Sequence, residues 1–284
     1  MPVIGCQNGA VVAPNTERAY RSDWIDFCAW CAMCRRRPLP ATTRTVVEYV
    51  TDLARTRRPS TVRRRVAAIQ AHHVEHGFDG PRTHPAVRLA TARADWRGRE
   101  QRRPTEPLLA RDLRRCCASL PDTLAGRRDR AVLLVAYGAA LRRTELVGLD
   151  AGDVRVGGDG VLHVRIARGL VRVPPGSSEV TCAVRAWERW RSAAGVSLEG
   201  GPAFRPIDRH GNLSSTRLSD RAVTTIVQRV ARTAGLARPE RYTGRSLRLG
   251  MILAAADRGT PVEGIMAHTG HRSKRLVTGY RRDG

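Results

Sequence analysis

Between Arg97 and Pro107 the chain reads R-G-R-E-Q-R-R-P-T-E-P, with no large apolar side chain at any position. Such a stretch has nothing to bury, and its prolines lack the N–H that a helix interior or a central strand requires. One continuous core cannot pass through it. The chain must therefore fold as two domains, and 284 residues are enough for two cores. We expect a tail over residues 1–14, a helical domain over 15–98, a basic linker over 99–107 and a second domain over 108–284. Met1 to Ala13 has no Lys or Arg ahead of its apolar residues. It lacks the form of a signal peptide and is expected to fray.

Upstream of the linker the apolar spacing is helical. Tyr20, Trp24, Phe27, Trp30 and Cys31 recur at three and four residues, predicting a helix from Asn15 to Cys34 capped by Asn15 or Thr16. Val46, Tyr49, Val50 and Leu53 predict a second from Thr45 to Arg55. A third starts at Pro59-Ser60-Thr61, with Ser60 as the expected cap and Val62, Val66 and Ile69 as its buried stripe. A short fourth begins at His84-Pro85 and reaches towards Trp96. Arg63, Arg64 and Arg65 sit in the first turns of the third helix. A helix opening on a basic cluster can enter the major groove and touch phosphates; the competing reading is a solvated basic face.

Two spacings in this half resemble metal sites. Cys28, Cys31 and Cys34 form C-x-x-C-x-x-C, but on a helix they drift around one side among aromatics, and no fourth ligand follows. Packing as small hydrophobes explains them. His72 and His76 are four apart, yet the sequence places no third ligand beside them. Burial or phosphate contact is the simpler reading, and no metal is expected.

Downstream, a helix is predicted around Leu108 to Leu120, with Cys116 and Cys117 facing inward. Arg127 to Leu149 reads R-R-D-R-A-V-L-L-V-A-Y-G-A-A-L-R-R-T-E-L-V-G-L. This predicts a buried helix around Ala131 to Ala136, weakened at Gly138. A turn through Ala139-Ala140-Leu141 follows, and Glu145 and Leu146 open a new helix. Arg142 falls at the junction among apolar residues, where a guanidinium is costly unless it meets a charge. From Asp150 to Val173 the period changes to two. Val161, His163 and Arg165 alternate with Leu162, Val164 and Ile166, and Gly169 lets Leu170 to Val173 return antiparallel. Arg168 lies near the tip of that hairpin or small sheet. Val184 to Trp190 and Leu218 to Ala234 read as helices, and Gly195 to Ser215 as a long loop. Tyr242 leads into a helix capped by Ser246 and carrying Arg248; Val262 to His268 and Ser273 to Tyr280 close the chain as short helices. The fold class is mainly α with a small antiparallel β-sheet.

The net charge is +24 and the isoelectric point about 11.4. That excess calls for a polyanion partner, above all nucleic acid. Arginine supplies nearly all of it, Lys274 being the single lysine. No apolar run reaches membrane-spanning length, so no membrane partner is expected. Seven cysteines, an odd number without a framework spacing, point to a reducing cytoplasm.

The closing stretch, Y-T-G-R-S-L-R-L-G … H-T-G-H-R-S … G-Y, can bring Arg248, His271 and Tyr280 to one point. A guanidinium grips an oxyanion bidentately through a rigid fork. An imidazole can bond to the same charge, and a phenol held against it can act as a nucleophile. Together with Arg142 far upstream, the set suits phosphoryl transfer by positioning and charge, with no cofactor.

These residues resemble the tyrosine recombinases, or phage integrases. Ala140 to Leu149 (A-L-R-R-T-E-L-V-G-L) is similar to the family's first arginine box, and Arg245 to Gly250 (R-S-L-R-L-G) to its H-x-L-R box. T-G-H-R-S followed by Tyr280 is similar to the closing motif. The N-terminal helices resemble the SAM-like core-binding domain, which leaves an α+β integrase-like catalytic domain downstream. The resemblance implies that Arg142 and Arg248 clamp the scissile phosphate, with Glu145 supporting the first arginine. His271 would bond a non-bridging oxygen. Tyr280 would attack phosphorus to form a 3′-phosphotyrosyl link and release a 5′-hydroxyl, which on a partner strand reverses the step. The partner would be double-stranded DNA, held by a homotetramer on two sites in a bacterial nucleoid. Arg63, Arg64 and Arg65, with Arg102 and Arg103 of the linker, would contact its backbone, the basic linker helping to close a clamp around the duplex.

Three departures stand out. The family carries a lysine on the β-hairpin as general acid to the leaving 5′-oxygen; here Arg168 is the nearest equivalent, and Arg172 the second. Arg245 stands where the family has a histidine. Arginine is a poor proton donor or acceptor, and one positioned proton transfer is worth roughly 10²–10⁴-fold. Only Arg281 to Gly284 follow Tyr280, so the trailing helix by which relatives dock into a neighbouring subunit is not expected. The competing reading is therefore a catalytically impaired DNA-binding relative. A one-subunit topoisomerase of the same chemistry is a third.

Overall fold

The computed structural model describes residues 14–100 and 105–279. The chain divides into two compact units between Arg103 and Pro104.

The first unit is four helices: α1 (Pro14–Met33), α2 (Thr43–Thr56), α3 (Pro59–Glu75) and α4 (Pro85–Glu100). α1 packs on α3 and α2 on α4. Phe27, Cys31, Val46, Tyr49, Val50, Val62, Ile69 and Val87 form the core. The ring of Phe27 lies 4.9 Å from that of Tyr49. The Thr42 hydroxyl caps α2 by accepting from the Thr45 N–H at 3.2 Å. α3 starts earlier than expected: Arg58 is its cap and Pro59 its first residue. Proline is suited to that position, because its missing N–H would have no partner there anyway. Ser60 is thus inside the helix. α4 runs to Glu100, two residues into the expected linker, since Gly98 alone does not stop a helix. Of the C-x-x-C-x-x-C run, Cys31 is buried in the core, Cys28 half-buried and Cys34 exposed, so the three drift around the helix and only Cys31 packs as a core hydrophobe.

The second unit begins with α5 (Ala110–Ala118), α6 (Leu124–Gly138) and α7 (Arg143–Gly148). Three antiparallel strands follow: β1 (Val154–Val156), β2 (Leu162–Ile166) and β3 (Gly169–Val173), in the order β1-β2-β3. Then come α8 (Ala183–Ala193), α9 (Asp220–Thr233), α10 (Gly244–Asp257), α11 (Val262–Thr269) and α12 (Lys274–Gly279). The fold is mainly helical with one small antiparallel sheet.

α6 is the centre. Ala131 to Ala136 are all buried, as a helix apolar on every side must be. α8, α9 and α10 pack around it. In the sheet, Val164 stands opposite Val154 and Val171, and these three valines face the core. The first residues of the unit lie on α10, where the Leu108 N–H donates to the Ser246 carbonyl at 2.9 Å. Gly250 permits that approach: a Cβ there would stand 1.8 Å from the Leu108 oxygen. α10 is capped by Thr243 rather than Ser246, and the Ser246 hydroxyl accepts from the Thr243 N–H at 2.9 Å. The two residues close the end of the helix reciprocally.

Candidate active site

The site is built on the turn between α6 and α7. α6 stops at Gly138, and Ala140 takes a left-handed conformation (φ 48°), uncommon for a residue with a side chain. The turn leaves three successive carbonyls for other elements to bind. The Gly138 oxygen lies 2.8 Å from His268 Nε2 of α11. Ala139 accepts from Arg168 Nη2 at 3.1 Å. Ala140 accepts from Arg248 Nη1 of α10 at 2.6 Å. Orphan carbonyls at the end of a helix carry its negative partial charge, which suits donors that are cationic.

Arg248 joins two parts of the site. It is buried, and its Nη2 also donates to the Thr269 carbonyl at the end of α11, at 2.6 Å. One guanidinium therefore fixes the α6–α7 turn and the α11 terminus relative to each other. Gly270 then ends α11 in the left-handed conformation (φ 68°) and places His271 beside Arg248, with ring nitrogens 3.4 and 3.5 Å from Nη2.

Arg142 caps α7. The Glu145 carboxylate accepts from its backbone N–H at 2.7 Å and from its Nη1 at 2.6 Å. A single acid thus orients both main chain and side chain, while the guanidinium stays half-exposed. Arg142, Arg248, His271 and Arg245 line one cavity of about 450 Å³, together with Arg143. No carboxylate is among its described lining residues. Arg143 is ion-paired with Asp220 at 2.9 Å.

His271 shows what this cavity does electrostatically. Burial, and then Arg248, Arg142, Arg168 and Arg245, push its pKa from 6.5 down to about 4. The imidazole is neutral at pH 7. Its tautomer follows from Thr269. The Thr269 hydroxyl donates its single proton to the Ile265 carbonyl at 2.6 Å, so it can only accept from His271 Nδ1, at 2.7 Å. Nδ1 carries the hydrogen, and Nε2 carries the lone pair.

Arg168 departs from expectation. It sits at the β2–β3 turn, but its guanidinium points back into the unit, donating to the His268 and Ala139 carbonyls and standing 3.5 Å from Glu145. It does not line the cavity. Burial pushes its pKa down, the largest of its influences. Arg172 does not line the cavity either and is paired with Asp159 at 2.6 Å. Tyr280, Arg102 and Arg103 lie outside the described residues; Gly279, the last described, ends α12.

In the first unit the expected basic cluster separates. Arg63 is half-exposed and bonded to Asp95 at 2.8 Å; Arg64 is part-exposed and 3.2 Å from Asp23. Arg65 corrects the sequence reading. It is buried, bonded to Asp26 and to the Tyr49 hydroxyl at 3.0 Å, and 3.6 Å from Asp23. Its charge is used inside the unit.

The phage integrase family profile matches residues 108–283. This chain belongs to the phage integrase family. It is 36% identical over 282 residues to an integrase/recombinase xerD homolog of Selenomonas ruminantium, covering 94% of this chain and 81% of that one. A tyrosine recombinase XerC of Pelobacter propionicus is 28% identical over 277 residues, with 95% and 85% covered. Among solved structures, the Tn1549 transposon integrase in complex with transposon right end DNA superposes with a TM-score of 0.65 at 13% identity, over 96% of this chain and 90% of that one. A lambda integrase dimer bound to a COC′ core site gives 0.64 at 15% identity, over 97% and 90%. These likenesses show the fold of the integrases. No helix among the described residues is long and apolar enough to cross a membrane.

Two residues of the site went unassigned in the sequence. Thr269 and His268 both lie in the H-T-G-H run, but nothing in their type or spacing shows that one sets a tautomer and the other braces a turn.

Proposed function

We propose that this protein is a site-specific DNA recombinase that cuts and rejoins strands through a 3′-phosphotyrosyl intermediate on Tyr280. The observation that supports it best is the cavity shared by Arg142, Arg248 and His271. Two arginines held by separate elements line one concavity that has no carboxylate among its described lining residues, as an in-line phosphoryl transfer needs. In this reading Arg142 and Arg248 bind the non-bridging oxygens of the scissile phosphate, and Arg245 adds charge at the rim. His271 reaches the site neutral. With Nδ1 engaged by Thr269, it can donate to phosphate only after Nε2 takes up a proton, and the arriving anion favours that uptake. The Tyr280 hydroxyl gives up its proton to solvent as its oxygen bonds to phosphorus, the bond to the 5′-oxygen breaks, and that oxygen takes a proton from solvent and leaves as a hydroxyl, so the protons balance. A 5′-hydroxyl from a second duplex reverses the step, so the reaction needs neither cofactor nor an energy source. Four copies on two double-stranded sites would complete an exchange, and the charge of +24 suits so much DNA backbone.

The test uses a nicked suicide duplex carrying the protein's own site, found by sequencing DNA the protein selects. A covalent protein–DNA adduct is expected, and Tyr280→Phe should abolish it. An undiminished adduct in that variant overturns the assignment.

One observation favours the second reading, an impaired DNA-binding relative. The Arg168 guanidinium, the nearest equivalent of the family's general acid, is committed to two carbonyls and does not line the cavity. If the native chain makes no adduct and the double variant Arg168→Lys/Arg245→His does, the second reading holds. If the native chain cleaves, it falls.

A further inference from the structure

The last turn of α3 carries a cluster that the strand-transfer chemistry does not use. His72, Glu75 and His76 lie at i, i+3 and i+4, hence on one helix face. One ligating atom from each lies within 4.8 Å of the others. The sequence offered two histidines and no third ligand; the helix supplies Glu75, whose Oε2 is 3.8 Å from His72 Nδ1.

Three details of the surroundings favour a cation there. First, both ring nitrogens of His72 are buried with no hydrogen-bond partner among the described residues, an arrangement that costs free energy unless something satisfies it. Second, His76 Nδ1 pairs with the His72 carbonyl at 2.8 Å. That bond places the hydrogen on Nδ1 and leaves the lone pair on Nε2, the tautomer typical of a metal-bound histidine. Third, the cluster is at the helix C-terminus, where the macrodipole favours positive charge.

We propose that this turn binds a divalent transition-metal cation of the zinc type, through His72, Glu75 and His76, with water completing the shell. Two imidazoles and a carboxylate are borderline ligands suited to zinc and its first-row neighbours, unlike the all-oxygen sets of calcium or magnesium. The consequence is structural. The His72 ring stacks on Trp24 of α1, with centroids 4.3 Å apart and planes 15° from parallel. A cation on His72 would fix that ring and tie the end of α3 to α1, fastening the first unit.

Cobalt(II) is the probe, added to the whole chain after chelation and removal of the chelator. One equivalent is expected to bind, giving the visible d–d absorption of a low-coordinate site and quenching tryptophan fluorescence. Zinc should displace it and raise the melting temperature. His76→Ala removes an exposed ring and leaves the Trp24 stack intact; it should weaken binding by about 100-fold, since outer-shell partners alone are worth 10–100-fold. Glu75→Gln, nearly isosteric, should weaken it in the same direction. Absence of binding by the parent chain overturns the proposal. So does binding that both variants retain. So does a thiolate-to-cobalt charge-transfer band lost in Cys28→Ser/Cys34→Ser, which would place the ion on α1. The strand-transfer reading is tested separately, because the covalent adduct with Tyr280 does not involve this turn.

Discussion

Arg65 separates two accounts of the basic stretch on α3, and the account in which it holds the fold predicts a large effect. The side chain is only 10% exposed, and that of Asp23 only 4%. Arg65→Ala removes its bonds to Asp26 and Tyr49 and its charge contact with Asp23. Asp23 is then left with Arg64, which is part-exposed and 3.2 Å away. Removing one partner of a buried pair costs about 3–5 kcal/mol, because the stranded charge loses its compensation. A small domain has about 5–15 kcal/mol of stability in all. With roughly 1.5 kcal/mol per molar of urea for a unit this size, the unfolding midpoint should fall by about 2–3 M. Hydrogen exchange followed by mass spectrometry would place the loss in α1 to α4.

Two controls test the cause. In Arg65→Met/Asp23→Asn the stranded carboxylate is gone too, so much of the stability should return. The deficit of Arg65→Ala should also narrow as the pH falls. Burial already pushes the Asp23 carboxyl up, while Arg64 and Arg65 pull it down. Without Arg65 it rises further, and the folded form then holds a proton that the unfolded chain releases. A carboxyl raised in the folded state favours folding at low pH and loses that contribution as pH rises through its folded value. The competing account has Arg65 on a DNA phosphate. It predicts a parent-like midpoint and a salt dependence of DNA binding shallower by about 0.9 in log–log slope. That pair of results would refute a structural role for the Arg65 charge.

In the free protein the His271 imidazole should titrate near pH 4 rather than 6.5, measured by NMR, and a bound duplex should raise that value. Because the unfolded chain binds this proton between about pH 6.5 and 4 and the folded chain refuses it, the residue should lower stability as pH falls through that window. Thr269→Val keeps the shape but removes the acceptor of Nδ1, so the titration should shift and adduct formation should slow by about a hundredfold, the cost of a small misplacement; an unchanged titration and rate would show that Thr269 does not set the tautomer. Gly250→Ala would bring a Cβ to 1.8 Å from the Leu108 oxygen, and urea denaturation should show a loss of about 2 kcal/mol or more.

The limits of the sequence reading have a physical cause. The helices and the small sheet were legible because their apolar periods are long and change only once, at Asp150 to Val173. The cavity residues were legible because Arg142, Arg248 and His271 belong to three motifs in a fixed order. The turn that brings them together was not, because its binding groups are the carbonyls of Gly138, Ala139 and Ala140, and any residue has a carbonyl. What selects these three is the left-handed Ala140, which no residue-type rule anticipates. Arg168 shows the same limit from the other side. Its position near the hairpin tip was readable, but which way its fork turns depends on acceptors brought in from α6 and α11. Arg65 is different, because its signal was present. It falls three residues after Val62 and four before Ile69, in phase with the buried stripe of α3, and Asp23 and Asp26 flank Trp24 on α1. A charge in phase with a core stripe calls for an opposite charge on the facing helix before it calls for a ligand. Applied to the second unit, that rule marks Arg248, which is also buried yet bonds backbone carbonyls and borders a cavity with no carboxylate among its described lining residues. Held by the carbonyls of two separate elements, its guanidinium fixes those elements at the wall of the cavity, a role that residue type alone does not show.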